Sequence, residues 1–199
     1  MLSLNTLWYG RSRVRWLLWP LSCLYRFSVF FHKSCYALGL KKTTGFPVKI
    51  IVVGNITVGG TGKSPLTAHL ANWLTSCGAK VGLVSRGYGG KSKCWPCVVT
   101  ADSDPKMVGD EAVMLVQQTA CPMVVAPNRV QAVKTLLAEN DLDVIISDDG
   151  LQHYALDRDI EIALVDSKRG LGNGMLLPAG PLRESSSRLN HVDFILYNG

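Results

Sequence analysis

The sequence predicts an α/β fold in which helices flank a mostly parallel sheet. Three observations support this prediction: a short β-branched run that ends in a glycine-rich turn, the alternation of strand-like and helix-like segments after it, and an apolar content of 47%. A chain of 199 residues with this composition can bury one sizeable core, which excludes a disordered or collagen-like protein. Right-handed crossovers would bring the ends of several strands to one ligand crevice.

The predicted elements follow one another through residues 48–199, which we expect to form one domain. The first strand is the run VKIIVVG at 48–54, and a helix with a proline in its first turn follows. Further strands are predicted at 80–85, 122–126, 143–147, 160–165 and 193–197, and further helices at 106–120 and 127–140.

Residues 1–47 are expected to form a separate amphipathic segment that lies on a membrane surface. Trp and Tyr side chains recur through this segment and can lie at headgroup depth, while the Lys and Arg between them face anionic lipid. Arg15, Arg26 and Lys33 interrupt the apolar stretch, so no window of about 18 uncharged apolar residues is left for a transmembrane helix.

Two other interpretations of the N-terminal segment stay open. A signal peptide could use Arg11, Arg13 and Arg15 as its basic start, but later cations fall where its apolar region should be uncharged. A core helix packed on the domain is the second alternative. Pro20 predicts a kink or a restart in any helix formed here.

Charge is divided unevenly between the two halves of the chain, although the net charge is only +6. Residues 1–101 contain thirteen Lys or Arg and no Asp or Glu, whereas residues 102–199 contain eight basic and fifteen acidic residues. The basic half suits anionic partners such as phosphates, lipid headgroups or nucleic acid. The acidic half suits metal binding or proton transfer.

The six cysteines are scattered along a chain too long to need a disulfide framework, so we expect reduced thiols and the cytoplasmic side of a membrane. Cys94 and Cys97 form a CWPC sequence that is typical of redox or zinc sites. No second Cys or His pair follows at metal-ligand spacing, and this favours an ordinary loop.

The glycine-rich turn after the first strand is the most informative stretch. Strand, turn, Lys-Ser and helix together predict a P-loop, in which backbone N–H groups surround phosphates, the lysine contacts the β and γ oxygens and the serine hydroxyl binds Mg²⁺. The alternative is a glycine-rich turn that is followed by Lys-Ser by chance. The formal P-loop pattern has Gly at its first position, where this chain has Thr57. The predicted nucleotide-binding residues are Thr57, Val58, Gly59, Gly60, Thr61, Gly62, Lys63 and Ser64.

Two adjacent carboxylates, Asp148 and Asp149, end a later apolar strand, where a P-loop enzyme places its metal-binding acid. A solvated turn or a helix cap is the alternative. The loop continues through Gln152 and His153, whose side chains could bind sugar hydroxyls or phosphate.

Other polar residues are expected at the same edge of the sheet. Asp110 and Glu111 open a helix, where carboxylates are often caps stabilised by the helix dipole. Tyr88 lies in a glycine-rich loop directly after a strand. Three further residues are candidates for contact with the substrate or with phosphate, and simple surface charge is the alternative for each: Arg129, Arg183 and Glu184.

Six motifs in a fixed order resemble the tetraacyldisaccharide 4′-kinase family of lipid A biosynthesis. The motifs are TVGGTGKSP (57–65), SRGYG (85–89), VGDE (108–111), APNR (126–129), DDGLQH (148–153) and LPAGPLRE (177–184). The resemblance implies a kinase that uses ATP and Mg²⁺ at the cytoplasmic face of the bacterial inner membrane as a peripheral or monotopic protein. Its expected partners are an anionic membrane surface and an acylated disaccharide lipid. Nucleic acid is not expected as a partner. It would phosphorylate the 4′-hydroxyl of a tetraacyl glucosamine disaccharide 1-phosphate to give lipid IVA.

The resemblance also implies roles for individual residues. Asp110 would be the general base with Glu111 beside it, and Lys63 and His153 would assist catalysis. The expected substrate contacts are Tyr88, Arg129, Gln152 and Arg183, and the expected metal ligands are Ser64, Asp148, Asp149 and Glu184. Members of the family continue beyond the Asn-Gly at 198–199 into a second lobe, which contains a histidine thought to assist the base. We therefore expect these 199 residues to lack that lobe.

Two functions from other classes are kept as alternatives. One is a membrane-bound switch ATPase of the MinD/ParA kind, but such proteins have a lysine before the Gly-Gly of their P-loop, where this chain has Val58. The other is a non-catalytic module that binds nucleotide or lipid.

Overall fold

A computed structural model describes residues 4–10 and 13–199. Arg11, part of the basic cluster considered above, lies outside the described residues. The chain divides into two compact units. The terminal unit comprises Met1–Lys42, Asn55–Thr61 and Ile162–Gly199, and the central unit comprises Thr43–Gly54 and Gly62–Glu161.

Helices and strands alternate along most of the chain, as the sequence predicts. In order, the elements are α1 Leu4–Tyr9, α2 Val14–Ala37, β1 Lys49–Gly54, α3 Lys63–Ser76, β2 Val81–Ser85, β3 Cys97–Val99, α4 Pro105–Val108, α5 Asp110–Thr119, β4 Met123–Val125, α6 Arg129–Glu139, β5 Val144–Asp148, β6 Ile160–Asp166, a 3₁₀ helix Ser186–His191, and β7 Phe194–Asn198.

Parallel strands form the core of the central unit, in the order β3-β4-β2-β5-β1. The pairs β1–β5, β2–β5 and β2–β4 are parallel, and only β3 runs antiparallel to its neighbour β4. Val52, Val53, Ile145 and Ile146 are completely buried, as expected for strands covered on both faces. The predicted α/β class with a mostly parallel sheet is therefore confirmed.

The sequence did not predict β3, because a short stretch after the CWPC loop has no hydrophobic alternation of its own. Cys97 is the first residue of β3 and pairs with Val125. Its Sγ donates to the carbonyl of Cys94 at 2.7 Å. All six cysteines are free thiols, in agreement with the expected reduced state.

The prediction of a single helix over 106–120 is wrong, because two helices, α4 and α5, meet at Gly109. This glycine has φ 96° and ψ 141° and separates α4 from α5. A Cβ at Gly109 would lie 2.5 Å from the carbonyl oxygen of Tyr88, so only glycine allows the loop 86–90 to pass this closely. The break makes Asp110 the first residue of a new helix.

The terminal unit holds α2 against later segments through buried polar contacts. Ser22 donates to the carbonyl of Leu176 at 2.8 Å and accepts the N–H of Ala179 at 2.9 Å. Tyr25 donates to the carbonyl of Arg183 at 3.2 Å. The helix continues through Pro20, so of the predicted kink or restart the restart does not occur, and the kink stays a prediction.

Most other side chains of α2 are exposed, and many of these are large and apolar. Among the described residues, no helix combines the length and the hydropathy needed to cross a membrane. The parallel strands β6 and β7 complete this unit, and β7 also has exposed apolar side chains, among them Phe194 and Tyr197.

Replacing Gly109 with alanine should lower the free energy of unfolding by about 2–3 kcal/mol, because the backbone conformation is strained and the new Cβ meets the Tyr88 carbonyl. Gly78→Ala is a matched control, since Gly78 has φ 91° with nothing within 4 Å of a Cβ. Urea unfolding of both variants measures the difference. Equal losses would show that the approach to Tyr88 imposes no constraint.

Candidate active site

The start of α3 and the end of β5 bring hydroxyl and carboxylate groups together inside the central unit. Ser64 Oγ donates to Asp148 Oδ2 at 3.2 Å, and Thr67 Oγ1 donates to Asp148 Oδ1 at 3.0 Å. The structure thus places the predicted pair Ser64 and Asp148 in contact. Thr67 was missed, although its position three residues after Ser64 puts both hydroxyls on one helix face.

Asp149 lies next to the P-loop lysine. Its Oδ1 is 3.7 Å from Lys63 Nζ, and the side chains are 34% and 12% exposed respectively. Asp149 has φ 49°, a left-handed conformation that is uncommon for a residue other than glycine. This turn directs two successive carboxylates to different partners, Asp148 to hydroxyls and Asp149 to an ammonium group.

Asp148 is only 2% exposed, and burial raises its pKa to about 6. The hydrogen bond from Thr67 lowers this pKa, because it favours the charged carboxylate. The nearby negative charges of Asp149 and Glu111 raise the pKa further. The influence of Glu111 indicates that the first turn of α5 faces this end of the sheet.

Arg129 fixes the turn that follows β5. Its guanidinium donates to the carbonyls of Asp148 at 3.5 Å and Asp149 at 3.4 Å, and also to that of Ala126 at 3.1 Å. The residue is 3% exposed, so the alternative that Arg129 is simple surface charge is wrong. Burial lowers its pKa to about 10, and the group stays protonated at neutral pH.

His153 contacts the same arginine through its ring. The backbone N–H of Arg129 donates to His153 Nε2 at 3.2 Å. An accepting Nε2 has no proton, so the ring in this arrangement is neutral with its proton on Nδ1. Gln152, the preceding residue, is half-buried.

Asp110 and Tyr88 lie at a second part of the central unit, where the loop 86–90 meets the α4–α5 break. Both residues are exposed. The loop is held there because Lys91 and Ser92 donate backbone hydrogen bonds to the carbonyls of Lys106 and Met107. A shallow depression at this place is lined by Gly89, Lys91, Pro105, Lys106 and Asp110.

Arg183 and Glu184 lie in the terminal unit. The N–H of Arg183 donates to the carbonyl of Ile56 at 2.7 Å, which joins the segment 181–183 to the first residues after β1. Glu184 is 3% exposed, and its Oε2 lies 3.8 Å from Arg188 Nε. The expected roles of Arg183 in substrate binding and of Glu184 in metal binding stay predictions.

Two residues outside every predicted motif contact the P-loop segment of the terminal unit. Arg169 donates to the carbonyl of Gly60, and Asn198 Nδ2 donates to that of Thr61 at 3.0 Å. No local sequence signal marks them, because Arg169 shortly follows β6 and Asn198 ends β7, both far along the chain from the loop that they contact.

Comparison with known proteins decides the family. The sequence profile of the tetraacyldisaccharide-1-P 4′-kinase family matches residues 14–199. The chain belongs to this family. Family membership argues against the switch-ATPase alternative and confirms the resemblance seen in the six motifs.

Similar kinases occur in several bacteria. A tetraacyldisaccharide 4′-kinase of Coxiella burnetii is 55% identical over 197 residues, which are 98% of this chain and 60% of the relative. That of Nitrosococcus oceani is 53% identical over 192 residues, or 96% of this chain and 57% of the relative. The chain thus spans about three fifths of the length of these curated relatives.

A solved structure of the same family agrees with the fold described above. The crystal structure of LpxK from Aquifex aeolicus in complex with ATP is 33% identical and superposes with a TM-score of 0.84. The similarity covers 93% of this chain and 59% of the other. A mostly parallel α/β fold of the P-loop type is therefore shared.

Changing Asp148 to asparagine should stabilise the chain at pH 7.5 by about 1–3 kcal/mol in buffer without Mg²⁺ or nucleotide. A pKa raised to about 6 means that Asp148 contributes stability below its ordinary pKa of 3.8, and that this contribution is lost as the pH rises through 6. The stability advantage of Asp148→Asn over the unchanged chain should therefore disappear near pH 4.

Denaturant unfolding at several pH values measures this difference. Asp149→Asn removes a charge from the same turn at a better solvated position and is the control. A stability difference between Asp148→Asn and the unchanged chain that is constant from pH 4 to 7.5 would contradict the effect of burial.

Proposed function

We propose that this chain forms the ATP-binding part of a kinase that phosphorylates the 4′-hydroxyl of a tetraacyl glucosamine disaccharide 1-phosphate, giving lipid IVA. One observation supports the proposal most directly: in a chain of this family, Lys63 and Ser64 at the start of α3 contact Asp149 and Asp148 at the end of β5. A lysine, a hydroxyl and paired carboxylates in this order are the groups that phosphoryl transfer from ATP requires.

ATP is proposed to bind through backbone N–H groups of residues 59–64 and the ammonium of Lys63. The N–H of Val58, which was also predicted to bind nucleotide, instead donates to the carbonyl of Pro181 at 2.8 Å. Lys63 is only 12% exposed, so its charge is poorly screened by water and acts strongly on a phosphate. Its ion pair with Asp149 orients the side chain before a nucleotide binds.

The donor set at this place fits Mg²⁺, which prefers oxygen ligands. Ser64 Oγ, Asp148 and Asp149 would hold the ion, and its charge would offset that of the phosphates. Within residues 4–10 and 13–199, no group of three His, Cys, Asp or Glu side chains could hold a metal by itself. The hydroxyl of Ser64, phosphate oxygens and water would complete the coordination.

Asp110 is the proposed base for the sugar hydroxyl. It is exposed beside Tyr88 and close to the cations Lys91 and Lys106, which line the same depression and suit an anionic substrate. The helix that begins at Asp110 also brings Glu111 within electrostatic range of Asp148. Tyr88 and Gln152 are the proposed substrate contacts of this unit, whereas Arg129 and His153 hold the turn of Asp148 and Asp149 in place.

The exposed face of α2 is proposed to bind the membrane surface, on the cytoplasmic side where ATP is available. Its apolar side chains include Leu17 at 79% exposure and Leu24, Phe27 and Phe30 at 66–67%, values that are unusual for large apolar residues. Ser22 and Tyr25 attach the opposite face to the rest of the terminal unit. An interfacial helix needs both a face bound to the protein and a face available to lipid.

Consumption of ATP that depends on the acylated disaccharide tests the proposed kinase. Lys63→Ala should lower turnover by about 100-fold because a phosphate-facing cation is lost, while Lys134→Ala, at an exposed lysine of α6, should change nothing. Asp110→Asn should abolish transfer to lipid and retain ATP binding, measured with a fluorescent ATP analogue.

Three other outcomes would contradict the proposal in different ways. ATP consumption that ignores the lipid would favour a switch ATPase. Binding of ATP without consumption at any lipid concentration would favour a non-catalytic module. An unchanged affinity for ATP after Lys63→Ala would contradict the P-loop assignment itself.

Introducing charge on the exposed face of α2 should weaken binding to vesicles that contain anionic lipid. The double variant Leu24→Glu/Phe31→Glu should reduce co-sedimentation by about tenfold or more, because two carboxylates would enter the interface. Trp73→Glu is the matched control, since Trp73 is a 56% exposed aromatic residue on α3. Equal sedimentation of the double variant and the unchanged chain would exclude α2 as the membrane contact.

A further inference from the structure

Three successive carbonyl groups of the P-loop are each held by a side chain of the terminal unit. Asn55 Nδ2 donates to the carbonyl of Gly59 at 3.4 Å. Arg169 Nη2 donates to that of Gly60, and Asn198 Nδ2 donates to that of Thr61 at 3.0 Å. These donors come from three separate segments of the chain.

A held carbonyl also fixes the direction of an N–H group. The peptide unit is planar and trans, so its C=O and the N–H of the next residue point to opposite sides. Holding the carbonyls of residues 59–61 therefore fixes the N–H groups of Gly60, Thr61 and Gly62 on the other side. Within the part of the chain that the structure describes, no protein acceptor is found for these three N–H groups.

Asp166 holds the side chain of Arg169 in the position from which it contacts the P-loop. Asp166, the last residue of β6, accepts the backbone N–H of Arg169 at 2.8 Å and its Nε–H at 2.7 Å. Asp166 also accepts the N–H of Lys168 at 3.0 Å. These bonds lower the pKa of Asp166 below its ordinary value, because they favour the charged carboxylate. The guanidinium lies against Gly59, because a Cβ there would be 3.3 Å from Nη1.

Asn198 approaches the next carbonyl from the last residue of β7. The strand is fixed by parallel pairing with β6, in which Asn198 is opposite Asp166. Asp166 and Asn198 are therefore neighbouring positions at the carboxyl ends of two strands, and both direct a donor to the P-loop, one of them through Arg169.

We infer that Arg169 and Asn198 are positioning residues that hold the P-loop backbone in its phosphate-binding conformation before ATP arrives. This inference rests on the proposed ATP-dependent function. Neither residue needs to touch the nucleotide, since each acts through a carbonyl of the loop. Preorganised N–H donors bind an anion more tightly because the loop pays no ordering entropy on binding.

Affinity for ATP, measured by calorimetry on the Mg²⁺-containing chain, tests the inference. Arg169→Ala should weaken ATP binding by about five- to tenfold and Asn198→Ala by about two- to fivefold, since a charged donor makes the stronger hydrogen bond. Arg169→Lys retains one donor and should recover part of the loss. Lys168→Ala and Asn190→Ala, which remove an exposed cation and an exposed amide of the same unit, should bind ATP like the unchanged chain.

AMP provides a readout that a general loss of structure would not change. The P-loop N–H groups surround the α and β phosphates, and AMP has only the first of these, so the variants should lose more affinity for ATP than for AMP. The ratio of the two dissociation constants is independent of the fraction of folded protein. It therefore remains informative if a variant folds less completely.

The outcomes separate the inference from the function on which it rests. If the unchanged chain binds ATP and both variants keep its ATP-to-AMP ratio, the positioning role is wrong and the proposed function stands. If the unchanged chain does not bind ATP, the proposed function and the inference are both overturned. A selective loss for ATP in Arg169→Ala and Asn198→Ala, absent from the two controls, supports the inference.

Discussion

The central unit depends on the placement of one buried carboxylate. Asp148 is 2% exposed at the end of β5, and a charge at that depth is costly unless hydrogen bonds compensate for lost water. Ser64 and Thr67 provide those bonds, and this requirement sets the rotation of α3 about its axis relative to β5. Arg129 holds the turn that follows by donating to the backbone carbonyls of Asp148 and Asp149. The hydroxyl, lysine and carboxylates are therefore brought together by the same contacts that make the burial of Asp148 tolerable.

Much of this arrangement could be predicted from the sequence because it depends on local patterns. β-Branched runs of suitable length predicted six of the seven strands that the structure describes, and the position of Lys63 and Ser64 between a strand and a helix predicted the P-loop. The acids after β5 were likewise expected near the loop, because parallel strands end at a common edge. Such features need only neighbouring residues and one rule of topology.

The parts that could not be predicted depend on contacts between distant segments. The break at Gly109 results from the approach of the Tyr88 carbonyl, which the helical pattern over 106–120 does not reveal. The burial of Arg129 could not be predicted from the sequence either. An arginine in the first turn of a helix has the same sequence pattern whether it faces solvent or a backbone carbonyl. Thr67, Arg169 and Asn198 carry no motif either, because the partner of each in the site or the P-loop is fixed only by the fold.

The contact between Asn198 and the Thr61 carbonyl has a consequence for protein synthesis. The two residues are 137 positions apart, and at about 5–20 residues per second the ribosome needs roughly 7–27 s to add the later one. During this interval the nascent P-loop lacks one of the donors that contact its carbonyl groups. With the role inferred for Asn198, the loop reaches its full order when β7 pairs with β6, and not when the glycine-rich segment is first synthesised.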